Sequence, residues 1–333
     1  MFQRADILLV NMTFRTEIKL QPYVDKLDYG SHILTLGSCF ANNLAQRLAR
    51  SKFNVVDSPT GILFNPASIA HHLELMTANA QICPEQLIGL GQRFVDYDFH
   101  SSLSAKSREE ASSLMNSALK TGYQALVNSD LCIITLGTAW VYRLRSTGEV
   151  VANCHKQPAS LFSRELLGVD EACSLLERIV EFAPRRVVFT LSPVRHIGDG
   201  LEDNSLSKSI LRVAIDTICR RHPERVSYFP SYEIMMDDLR DYRFYDTDMI
   251  HPSQVAVDYI IDKFFDIALS NKAKAMKVKV DRIVRATEHR PYDATSEEYR
   301  GFCESQLQLL AQLPEVDLSK EKSYFDNALQ INL

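Results

Sequence analysis

Three stretches of the chain are apolar almost without a break: HILTLG (32–37), LCIITLG (131–137) and RRVVFTLSP (185–193). A strand with one face in water alternates apolar with polar residues, whereas an unbroken run marks a strand covered on both faces. FNVVD (53–57) and VSYFPSYEI (226–234) read as further strands, and helical spacing fills 41–51, 67–78, 104–128, 205–222 and 254–269. Apolar strands alternating with helices predict an α/β fold with a parallel sheet between helical layers. In such sheets, polar residues just past the C-terminal ends of strands line the ligand crevice. Three exits qualify: GSC after the first strand, GTAW after LCIITL and SPVRH after VVFTL. The site is expected where they meet.

Bulk properties narrow the function. A net charge of −5 on 333 residues gives no global field to recruit nucleic acid or an anionic membrane. No apolar run approaches the ~20 residues of a membrane span. ILLV near the start is too short for a signal-peptide core, so the expected location is cytoplasmic. Residues 1–12 read as an N-terminal extension, 13–270 as the catalytic domain, and 271–333 as a helical C-terminal extension whose first part is basic. Seven scattered cysteines without a CxxC pair suit reduced thiols better than a disulfide framework.

Serine becomes a nucleophile when a base takes its proton and a third group orients that base. In FYDTDMIHPSQ, Asp248 precedes His251 by three residues, close enough for the carboxylate to reach Nδ1–H and leave the other nitrogen free. Ser38 and Cys39 stand at the break after the first strand. A plain turn, with Ser38 capping the following helix, is the competing reading. Cys39 at a helix N-terminus is alternatively a thiol of lowered pKa, which would make function depend on Cys39 rather than Ser38.

LGSCFA (36–41) resembles the signature of the GSCFA-domain family, a branch of the SGNH/GDSL hydrolases. GILFNPASI (61–69), TLGTAWVY (135–142), NCHKQP (153–158), SPVRH (192–196) and DMIHPS (248–253) look like further family blocks in family order. The resemblance covers roughly residues 13 to 300. It implies a three-layer α/β/α flavodoxin-like SGNH fold with strand order 2-1-3-4-5. It also implies Ser38 as nucleophile, His251 as general base and Asp248 as its orienting acid. The backbone N–H groups of Cys39 and Gly61 would hold the oxyanion. One departure stands out: the family relatives carry GxND after the third core strand, and here GTAW puts Ala139 in place of the asparagine. Asn65, Thr138, Asn153, His155 and His196 are the side chains that would replace that donor or line the pocket. Arg195 would clamp a substrate carboxylate or phosphate, or make a structural ion pair.

The implied reaction is hydrolysis of an acyl ester on a small molecule or saccharide, with a short acyl group such as acetyl. An acyltransferase using the same triad and a non-catalytic glycan- or partner-binding domain are the rivals. No cofactor is expected: CH at 154–155 and HH at 71–72 lack zinc spacing, and there is no P-loop or dinucleotide fingerprint.

Overall fold

The computed structural model describes residues 15–330, so the expected extension over residues 1–12 lies outside them. In chain order the elements are β1 (His32–Gly37), α1 (Cys39–Arg50), β2 (Asn54–Asp57), α2 (Pro66–Thr77), β3 (Ile88–Leu90), β4 (Arg93–Val95), α3 (Arg108–Asn128), β5 (Leu131–Leu136), β6 (Trp140–Leu144), β7 (Val150–Val151), β8 (Phe162–Leu166), α4 (Val169–Phe182), β9 (Arg186–Leu191), α5 (Leu201–Arg221), β10 (Val226–Phe229), α6 (Ser231–Glu233), α7 (Gln254–Ala268), α8 (Asn271–Thr287), α9 (Glu297–Leu310) and α10 (Ser319–Gln330). Five strands form the central sheet in the order β2-β1-β5-β9-β10. Every pairing in it is parallel. Numbered by themselves along the chain, these five strands run 2-1-3-4-5, the expected order.

The apolar runs divide between the two faces with the period of a strand. Leu34, Leu36, Cys132, Ile134, Leu136, Val187, Phe189 and Leu191 face one cluster, built with α2, α3, α4 and α5. Ile33, Leu131, Ile133, Val188 and Phe229 face another, built with α1 and α7. Both faces are therefore dry, which is why the strands read as continuous rather than alternating.

Two local features differ from the sequence reading. The last core strand stops at Phe229 instead of running to 234, because Pro230 brings no N–H to extend the ladder and the chain turns into α6. Between β5 and α4 the chain also builds a small antiparallel sheet, β7-β6-β8, which the alternation of core strands and helices did not predict. Its strands border the site.

The C-terminal helices α8, α9 and α10 enclose an apolar cluster of their own around Val280, Ile283, Cys303 and Phe325. They join the core at the C-terminal end of α1, where Ser51 Oγ donates to Asp281 at 2.7 Å and Lys52 pairs with Glu321 at 2.6 Å. That is the opposite end of α1 from Cys39. Among the described residues no helix is long and apolar enough to cross a membrane.

Candidate active site

Gly37 ends β1 with φ +132°, and a Cβ there would collide with the carbonyl of Thr135 on β5. The two strand exits thus approach as closely as backbones can, and Ser38 N–H donates to Thr135 O at 3.0 Å. Ser38 occupies the N-cap position of α1, yet its side chain makes no capping bond. The caps of α2, α3, α7, α8 and α9 all do so through Asn65, Ser107, Ser253, Ser270 and Ser296. Ser38 is 1% exposed, and among the described residues its Oγ has no partner. A buried hydroxyl left unpaired costs about 1–3 kcal/mol, so its presence asks for a reason other than stability.

Asp248 and His251 meet as their spacing predicts. His251 Nδ1 lies 2.6 Å from Asp248 Oδ2, while Asp248 Oδ1 accepts from the N–H groups of Ile250 (2.8 Å) and His251 (2.9 Å). The His251 N–H, then its imidazole, then the Ile250 N–H hold the Asp248 carboxyl down to about 2. Positive φ at Met249 (58°) folds the three-residue loop back on itself. Nε2 of His251 makes no hydrogen bond among the described residues, and His251 lines a cavity of about 760 Å³. Cys39 lines the same cavity, directly after Ser38. Ser38 itself is not part of the wall, and no hydrogen bond joins it to His251.

Residues 32–264 match the GSCFA family, and residues 280–331 match the C-terminal domain of GSCFA domain proteins. The chain belongs to the GSCFA family. A comparison with curated proteins finds no match.

Within this GSCFA domain the remaining expected residues separate cleanly. Gly61 needs correction: its N–H donates to Ser58 O at 2.7 Å, closing a tight turn, and it is not part of the cavity wall. Its φ of +90° and the close approach of the His100 Cβ explain the glycine. His155 lies outside the wall, with Nε2 on Asp96 O (2.7 Å) and Nδ1 on Ser101 Oγ (3.1 Å). Thr138 and Asn153 do line the cavity, but their polar atoms are engaged. Thr138 Oγ1 contacts Ser207 Oγ (3.1 Å) and accepts from Trp140 N–H (3.0 Å). Asn153 bridges Ser101 Oγ and the His155 N–H.

Three expected residues keep free donors at the wall. Asn65 Oδ1 accepts from Ser68 N–H at 2.8 Å, which fixes the amide and leaves Nδ2 without a partner. His196 Nε2 is buried and unpartnered, 3.1 Å from where a Cβ on Gly137 would lie. Burial, with Lys208, His251 and Arg164 adding repulsion, holds His196 down to about 4, so it is neutral at pH 7. Arg195 is the third.

Cys39 does not behave as a helix-terminus thiolate. Burial raises its thiol above the ordinary value, outweighing the N–H groups that would lower it. All seven cysteines are unpaired. Among the described residues no group of three or more His, Cys, Asp or Glu side chains is placed to hold a metal ion.

What the sequence did not disclose is the scaffold on α5. Asn204 Oδ1 accepts from His196 N–H (3.0 Å), Ser207 Oγ accepts from Ala139 N–H (2.7 Å), and Lys208 Nζ donates to Ser192 O (2.8 Å). Three residues on one turn of helix thereby fix two of the strand exits. Burial lowers Lys208 to about 7. In NSLSKSILRVAID (204–216) these residues read only as the polar positions of an amphipathic helix. Trp140, Arg164 and Phe162, brought in by the antiparallel sheet, supply much of the opposite wall.

Proposed function

We propose that the chain is a serine acyl-ester hydrolase of SGNH type, working through Ser38, His251 and Asp248. The observation that carries this reading is two idle groups at one cavity, His251 in its wall and Ser38 next to the wall residue Cys39. A buried Ser38 hydroxyl is withheld from the helix it would normally cap, and a histidine is locked through Nδ1 with Nε2 free. Neither arrangement benefits the fold, and together they are the parts of a nucleophile and its base.

Attack requires the Ser38 side chain to turn from its buried position to the wall that Cys39 forms. Oγ then bonds to the ester carbonyl carbon while its proton passes to His251 Nε2. The oxyanion is held by the N–H of Cys39 at the positive end of α1, with Asn65 Nδ2 and the neutral His196 Nε2 as side-chain donors. These take the places expected of Gly61 and of the asparagine that Ala139 replaces. His251 returns the proton to the departing alkoxide, and Asp248 stabilises the imidazolium between the two transfers. Water, giving a proton to His251 Nε2, then attacks the acyl carbon; its bond to Ser38 Oγ breaks, the carboxylic acid leaves and His251 returns the proton to Ser38 Oγ. The substrate is an ester of a small molecule or saccharide with a short acyl group such as acetyl. The cavity is of the size that takes whole small molecules.

Labelling with a fluorophosphonate, with the adduct mapped by peptide mass spectrometry, tests the nucleophile. The expected result is an adduct on Ser38 that disappears in Ser38→Ala and on unfolding. An adduct on Cys39 overturns the reading in favour of a reactive thiol, and none on the folded protein overturns it in favour of a binding domain. Product analysis with and without a sugar acceptor separates hydrolysis from acyl transfer.

A further inference from the structure

Three charged side chains line the cavity besides its histidines. Arg164 and Asp199 form an ion pair, with the Arg164 guanidinium stacked over Trp140 (4.7 Å) and Tyr142 (5.2 Å). Arg195 has no such partner: among the described residues no carboxylate lies within 4 Å of it. Its guanidinium rests over the Tyr245 ring at 5.2 Å, and its directed contacts are a hydrogen bond with the Tyr245 hydroxyl and Nη2 to Met236 Sδ at 3.6 Å. Sulfur is a weak acceptor and the phenol is neutral, so among the described residues no anion answers the permanent charge that Arg195 brings to the cavity wall. The backbone is anchored as well, since Arg195 N–H donates to Ile250 O in the loop that carries Asp248 and His251.

We propose that Arg195 reads an anionic group on the substrate, so that the cavity selects esters bearing a carboxylate or phosphoryl group apart from the scissile bond. The assignment rests on the hydrolase reading for its reaction but not for its ligand chemistry. A stacked guanidinium is held in one plane, which suits two parallel hydrogen bonds to a carboxylate or phosphoryl group. Phe64, Trp140, Phe162, Val194 and Ile250 make much of the cavity wall apolar, and a low-polarity setting strengthens a charge-assisted bond. The chain carries −5 overall, but that charge is screened beyond about 8–10 Å, so the local cation decides.

Matched ester pairs test this. For an anion on the acyl side, mono-para-nitrophenyl glutarate is compared with para-nitrophenyl pentanoate. For one on the alcohol side, para-acetoxybenzoate is compared with its methyl ester. The expected result is a preference in kcat/KM for the anionic member of at least one pair, by roughly tenfold to a hundredfold. That ratio collapses towards unity in Arg195→Gln and is partly kept in Arg195→Lys. Equal turnover within both pairs, or a preference that survives Arg195→Gln, overturns the proposal. If no ester is turned over and no fluorophosphonate adduct forms, the hydrolase reading fails, and Arg195 is judged by binding alone. Trp140 is the chain's single tryptophan and lines the cavity, so its fluorescence reports occupancy. Titration with glutarate and phenyl phosphate against neutral glutaramide should give saturable binding that Arg195→Gln abolishes. No binding of either anion overturns the assignment.

Discussion

Two of the histidine–aspartate pairs among the described residues border cavities, and they are built for different ends. In one, His251 gives Nδ1 to Asp248 at 2.6 Å and keeps Nε2 for a cavity walled by Cys39, Phe64 and Trp140. In the other, of about 630 Å³, His71 on α2 gives Nε2 to Asp98 at 3.1 Å among Glu74, Asp96, Glu171 and Arg178. Asp248 accepts three hydrogen bonds from its own loop and is held low. Asp98 Oδ2 meets a single imidazole, and its backbone carbonyl serves the neighbouring His72. Proximity of histidine and aspartate is thus a poor guide to chemistry. What differs is which ring nitrogen is left over, how firmly the acid is held, and whether an idle nucleophile stands at the same strand exit.

Substitutions that break each pair should separate them most sharply. Asp248→Asn is expected to lower kcat by about 10²–10⁴ through the wrong imidazole tautomer. Asp98→Asn should change it less than about twofold. Steady-state kinetics on an ester screened for turnover decides this, and equal losses would mean that the first pair is structural too.

Acid stability distinguishes the buried histidines from the paired one. His196 is held down to about 4 by burial, against about 6.5 in an unfolded chain, so below 6.5 the unfolded state takes up the proton first. Its contribution is intact above pH 6.5 and is lost as the pH falls towards 4. His196→Gln should therefore flatten the decline in Tm between those values. His72, also held down to about 4 by burial, keeps part of the slope in that variant.

His71 has the opposite sign. Its hydrogen bond to Asp98 raises its pKa, so its contribution is full below about 6.5 and disappears as the pH rises through the folded value. The stability difference between wild type and His71→Gln should be larger at mildly acid than at alkaline pH. It remains small, because partly exposed pairs are worth about 0–1 kcal/mol. Chemical denaturation at the two pH values reads it.

Legibility in the sequence followed the range of the interaction. The Asp248–His251 pair lies within one loop, so spacing alone announced it. The GSC break announced Ser38 because strand, glycine and helix are all local patterns. The His71–Asp98 pair, 27 residues apart, and the Asn204–Ser207–Lys208 scaffold depend on which helix packs against which strand exit, and no local pattern carries that. Gly61 shows the converse: a glycine in the expected place, whose N–H the turn had already engaged.

The sequence by itself determined the buried parallel sheet, because runs such as LCIITL are stable only where both faces are dry. It pointed to the candidate site too, since strand exits are where polar residues follow such runs. Only the tertiary structure decided which donors remain free there. Ser38 fails to cap, Asn65 is turned by its own cap, and Arg195 meets an aromatic ring and a sulfur instead of a carboxylate. A residue's type fixes what bonds it can make, whereas its neighbours in space fix which of them are already made.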